Sequence, residues 1–118
     1  MNQDEIKTIL LGYPATELCF PFDETTAVFK VKNKMFALYG INNDPLTMNL
    51  KCDPEDAQLL RSQFPAIQPG YHMNKEHWNT VTVDGSLSDD LIRKLIDDSF
   101  HLVVSKLPKR VQKELRGS

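Results

Sequence analysis

His72, Asn74, Lys75, His77 and Trp78 fall within seven residues of one another, and Trp78 is the only tryptophan in the chain. Neutral imidazoles bind metals and titrate near physiological pH, an ammonium group pairs with phosphate, and an indole ring can stack on a base. Metal binding, proton transfer and nucleic-acid contact are therefore the chemistries to weigh. With Asp84, the histidines could supply ligands or acid and base groups. They stand five apart in a loop, however, with no helical HxxxH pair, no neighbouring cysteine and no third ligand identifiable from spacing, so no metal is expected. No nucleophile elbow, Walker loop or dinucleotide fingerprint occurs, and glycine is too sparse for a phosphate cradle. Neither catalytic residues nor a cofactor are expected. A structural reading stands beside the functional one: Asn74 caps a turn, His77 bonds to backbone, and Asp84-Gly85 makes a bend.

Positioning these groups requires a loop, a helical turn, a strand and a turn over residues 69 to 87. Trp78 to Val83 alternates with period two, which sends Val81 and Val83 to a core and Trp78, Thr80 and Thr82 the other way. Upstream, Ile6, Ile9, Leu10 and Tyr13 are spaced for a helix that Pro14 ends. Glu17 to Phe20 allows a short strand. Ala27 to Lys32 alternates, with Val28, Lys30 and Lys32 on one side, and Asn33 suits the hairpin turn into a strand from Lys34 to Gly40. After a polar turn over residues 41 to 45, Leu46 to Lys51 has one dry and one wet side. Asp53-Pro54-Glu55-Asp56 opens a helix with Ala57, Leu60 and Phe64 on its apolar stripe, and Ser88 caps a long one bearing Ile92, Leu95, Ile96, Phe100, Val103 and Leu107. Pro108 ends it or kinks it into a short basic helix.

The run Tyr71-His72-x-Asn74-Lys75-x-His77-Trp78-x-Thr80-Val81-x-Val83-Asp84-Gly85 resembles the hallmark of the MmcQ/YjbR family, small bacterial proteins described as DNA-binding. Pro14, Glu17, Pro21-Phe22, Val28-Phe29-Lys30-Val31, Lys34 and Phe36-Ala37 resemble the family's first half, and Leu50-Lys51-Cys52-Asp53-Pro54-Glu55 its middle. The similarity covers about residues 13 to 107. Ala15, Asp23 and Asn33 depart from expected glycines, and Val83 from a commoner leucine. The resemblance implies DNA contact and a fold related to that of secretion chaperones.

The element order, helix, three or four strands, helix, two strands, helix, predicts a two-layer α+β domain over residues 1 to 118. An antiparallel sheet would carry its helices on one face, with the basic helix starting at about residue 108. The other face would then present Lys30, Lys32, Thr47, Asn49, Lys51, Trp78, Thr80 and Thr82. With the loop residues, this gives the expected nucleic-acid-binding set: Lys30, Lys32, Lys51, His72, Asn74, Lys75, His77, Trp78 and Thr80. A peptide or second subunit would fit the same face, so a protein-interaction module is the alternative. Its net charge of −2 argues against a protein coated in basic surface, although residues 106 to 116 carry Lys106, Lys109, Arg110, Lys113 and Arg116 against Glu114 alone. Cys19 and Cys52 are expected to be reduced, and with neither leader nor membrane span in the sequence a cytoplasmic monomer is the default.

Overall fold

A computed structural model describes residues 1 to 70 and 73 to 116. Helix α1 (Gln3–Leu11) starts at a capping box, in which the Asn2 side chain accepts from the Glu5 backbone and the Glu5 carboxylate accepts from Asn2 N–H. Strand β1 (Thr16–Cys19) leads to the hairpin β2 (Thr26–Val31) and β3 (Lys34–Gly40), then to β4 (Leu46–Lys51). The Asp44–Pro45 peptide before β4 is cis. Helix α2 (Pro54–Gln63) is capped by Asp53, which accepts from Glu55 and Asp56 N–H groups. Strands β5 (Ile67–Pro69) and β6 (Trp78–Val83) follow, then α3 (Asp89–Ser105) behind its Ser88 cap, and α4 (Lys109–Arg116) after Pro108.

All six strands are antiparallel, in the order β1-β2-β3-β4-β6-β5. The predicted two-layer α+β arrangement is thus present, with four strands before α2 and two after it. The main core lies between the sheet and the helices, where Ile6 and Leu10 of α1, Ile92, Ile96, Phe100 and Val103 of α3, and Leu115 of α4 meet Phe29, Met48, Leu50 and Val81. Leu60 and Phe64 of α2 pack at its margin.

Two backbone features depart from simple alternation. The register slips between Phe29 and Lys30, because Phe29 pairs with Ala37 and Lys30 with Met35. Phe36 is the extra residue of this bulge, so it and Ala37 both lie in the helix-side core. Ser99 on α3 serves the break: its buried hydroxyl donates to Phe36 C=O and accepts from Lys51 N–H at 2.8 Å. In the hairpin, Lys32 and Asn33 both have positive φ, 48° and 68°. A two-residue turn of the primed kind needs that conformation at both positions, so Lys32 belongs to the turn and not to the strand in which alternation placed it.

Candidate nucleic-acid interface

On the sheet face away from the helices, Val28, Leu38 and Trp78 form a second, smaller apolar cluster, with Cys19, Met35 and Met73 packed against it. Trp78 is only 8 % exposed. The expectation of a ring open to a base is corrected here: β6 starts where Trp78 can lie over Val28 and Leu38, and burying the indole outweighs leaving it in water.

The loop before β6 is held from several directions. Asn74 Oδ1 accepts from Glu76 N–H at 2.9 Å, and Asn74 C=O accepts from Trp78 N–H at 3.0 Å, which is the expected turn. His77 C=O accepts from Cys52 N–H at 2.8 Å. The guanidinium of Arg61, near the end of α2, donates through Nε to Asn79 Oδ1 at 2.7 Å and through Nη2 to the carbonyls of Trp78 and Lys75. One planar fork thus ties a helix to both ends of the turn. Nothing in the sequence marked Arg61, which reads there as an ordinary solvated helix residue. Gly70 is fixed by close approach, since a Cβ at that position would come within 2.7 Å of Trp78 Cβ.

Of the expected binding residues, Asn74, Lys75 and His77 are exposed on this turn, while Thr80 is half-buried and donates to Asn49 Oδ1 at 2.8 Å. His72 lies outside the described residues. Lys30 is half-buried on β2, opposite Met35 across the bulge, and Lys32 is exposed in the hairpin turn. Lys51 ends β4 directly opposite Trp78. It lines a hollow of about 300 Å³ together with Lys34, Lys106, Met35 and Trp78. The structure therefore brings Lys51 and Trp78 together and adds Lys34 and Lys106. Lys106 belongs to the basic segment visible in the sequence, whereas Lys34 stands there as the first residue of a strand and one of the residues carrying the family resemblance, outside the expected binding set.

The hollow contains no carboxylate, and no ion pair engages its three lysines among the described residues. It sits at one end of the sheet, where β2, β4 and α3 finish and β3 and β6 begin. At the opposite end, the connections over residues 20 to 25, 40 to 45 and 84 to 90 carry Asp23, Glu24, Asp44, Asp84, Asp89 and Asp90, with neither lysine nor arginine. Two of these carboxylates organise their loops. Asp23 accepts from the backbone of Thr25 and Thr26 and from both hydroxyls, which holds its carboxyl below the usual range. Asp84 is lowered likewise by the Ser86 hydroxyl and N–H.

Between the two ends, the open face has a groove of about 730 Å³ crossed by Leu38, Asn49, Thr80 and Gln68 and flanked by Phe22 and Met73. None of its lining residues is charged. Elsewhere, burial and then the nearby carboxylates Asp56, Asp98 and Asp53 push the Cys52 thiol up to about 11, so it is a neutral thiol near pH 7. Both cysteines are free. Among the described residues no group of three or more His, Cys, Asp or Glu is placed to hold a metal ion, and no helix is long and apolar enough to cross a membrane.

The same architecture occurs in known proteins. A Deinococcus radiodurans protein, whose crystal structure carries the domain DUF419, superposes with a TM-score of 0.91 at 43% identity, covering 95% of this chain and 86% of that one. A Pseudomonas syringae crystal structure gives a TM-score of 0.74 at 36% identity, over 86% of this chain and 98% of the other. In sequence, the chain is 44% identical to the uncharacterised protein YbdF of Escherichia coli O157:H7 over 110 residues, 93% of this chain and 90% of the relative. It is 36% identical to YjbR of Escherichia coli K12 over 116 residues, 98% of each. The YjbR family model matches residues 11 to 102, and the chain belongs to the YjbR family.

Proposed function

We propose that this chain is a non-enzymatic nucleic-acid-binding protein, with DNA as its partner, and that the contact is made at the lysine end of the sheet. The observation that carries this reading is the hollow lined by Lys34, Lys51 and Lys106, with no carboxylate among its lining residues. Mutually repelling cations held around one depression are stabilised by an anion, and a phosphate backbone supplies anions at regular spacing. Lys30, Lys32 and Lys75 extend the contact along the hairpin and the loop. Trp78 enters this reading as the apolar wall that fixes Lys51, not as a stacking platform.

Fluorescence anisotropy with labelled oligonucleotides at low salt tests it. Binding is expected to weaken with salt at a slope of about two to three in log units, as for three neutralised phosphates, and the triple change Lys34→Ala, Lys51→Ala, Lys106→Ala is expected to remove it. Absence of binding to single-stranded DNA, duplex DNA and RNA alike would falsify the proposal. The second reading, a protein-interaction module, is favoured by one feature: among the described residues β1 pairs with β2 alone, so its outer backbone edge can accept an added strand. A stoichiometric protein partner that survives nuclease treatment would support it.

A further inference from the structure

We infer that the uncharged groove on the open face receives an unpaired base, so that the chain prefers single-stranded nucleic acid whose phosphates meet the lysine hollow. The inference rests on the nucleic-acid reading above, and the groove supplies what that reading lacks, a means of telling one kind of strand from another.

The lining sets the chemistry of the occupant. A charged ligand would lack a counter-charge, because every lining residue is neutral. The polar groups are carboxamides and hydroxyls. Asn49 Oδ1 accepts from Thr80, which leaves the Asn49 amide N–H groups without a partner among the described residues. Gln68 donates from Nε2 to Pro65 C=O at 2.8 Å, which leaves its Oε1 as an acceptor. A donor and an acceptor facing one groove match the edge of a base, which presents both. Leu38, Met73 and Phe22 provide apolar surface for its flat faces. Phe22 is 64 % exposed, on a loop that the Asp23 carboxylate holds through two backbone N–H groups. An exposed aromatic on an ordered loop costs little entropy to engage.

Charge sets the direction. Asn49 and Lys51 share a face of β4 two residues apart, about 6.6 Å along the strand, so groove and lysine hollow are neighbours. The groove's far end meets the loops bearing Asp23, Glu24 and Asp44, which repel phosphate. A strand can therefore lay its backbone on the lysines and turn a base toward Asn49 and Gln68, but not the reverse. A duplex cannot do this without extruding a base, which costs unstacking and unpairing. An extended peptide is the poorer fit, because the strand backbone beneath the groove is already engaged in the ladder and the face offers side chains alone.

Three oligonucleotides of equal length provide the test: a single strand, the matching duplex, and an abasic strand with sugars and phosphates only. The single strand is expected to bind about tenfold more tightly than the other two, as one stacked base would give, and Phe22→Ala or Gln68→Ala should erase most of that difference while leaving abasic binding unchanged. Both residues are exposed, and a thermal melt confirms that the variants remain folded. Equal binding of abasic and normal strands would overturn the groove while leaving the lysine contact standing. No binding by any of the three would remove both. Groove resonances that shift with a neutral peptide but not with the single strand would reassign the groove to a protein partner.

Discussion

On the helix side of the sheet, Phe36, Met48, Leu50 and Val81 lie beneath α1, α3 and α4 in a core that draws on every layer of the molecule; on the other side, Val28, Leu38 and Trp78 make a cluster of three into which, among the described residues, no helix packs an apolar side chain. Both faces are apolar at the centre of the sheet. They differ in what surrounds the centre. The helix side is sealed by long aliphatic and aromatic side chains, including the ring cluster of Tyr13, Phe36 and Phe100. The open side passes from Trp78 straight into amides, hydroxyls and lysines. A sheet can thus be stabilised from one face and keep a small apolar anchor on the other, around which binding groups are held without being buried.

The strongest way to break this contrast is to truncate one anchor on each face. Phe36→Ala removes a fully buried ring and is expected to cost about 4 kcal/mol in denaturant melts. Trp78→Ala should cost less, about 3 kcal/mol, because fewer neighbours surround it; equal losses would mean that the open face contributes to folding as much as the closed one. Arg61→Ala leaves Asn79, which is 2 % exposed, without its partner, and should lower stability by about 2 kcal/mol and speed amide exchange at Trp78. An unchanged exchange rate would show that the loop does not need the guanidinium. Gly85→Val should cost about 1 kcal/mol by thermal melt. Gly85 has φ of +90° with open space around its Cβ position, so the whole penalty is conformational, and Gly85→Ala should lose much of the same amount. Lys75→Ala, at an exposed position, should change stability by less than about 0.5 kcal/mol yet weaken oligonucleotide binding; unaltered binding would exclude Lys75 from the interface.

Local chemistry made most of the fold legible. Asp53 and Ser88 announce their helices through short-range caps, and the alternation in Leu46 to Lys51 appears unaltered in its burial. Most of the failures are long-range. Trp78 lies opposite Lys51 on the neighbouring strand, but what covers it, Val28 and Leu38, comes from the first hairpin. Phe36 joins the core through a bulge whose carbonyl is satisfied by Ser99, 63 positions away, and no pattern within β3 could announce that. Lys32 was misplaced for a local reason: a turn of two residues consumed a position that alternation had assigned to the strand. In the candidate site, lysine identity was visible and convergence was not. Lys34, Lys51 and Lys106 meet only because β3 begins, and β4 and α3 finish, at the same end of the sheet.

The hollow of three lysines at one end and the loops bearing Asp23, Glu24, Asp44, Asp84, Asp89 and Asp90 at the other give the molecule an uneven charge distribution despite a net charge of −2. A polyanion approaching such a protein feels weak repulsion at long range and a torque that turns the lysine end toward it as the distance shrinks. Association should accelerate on dilution of salt, as it does for a cationic protein, because the screening length then exceeds the distance at which the torque acts. The isoelectric point of about 5.9 is therefore a poor guide to which surfaces this chain will adhere to, since the sign of its field depends on the side from which it is met.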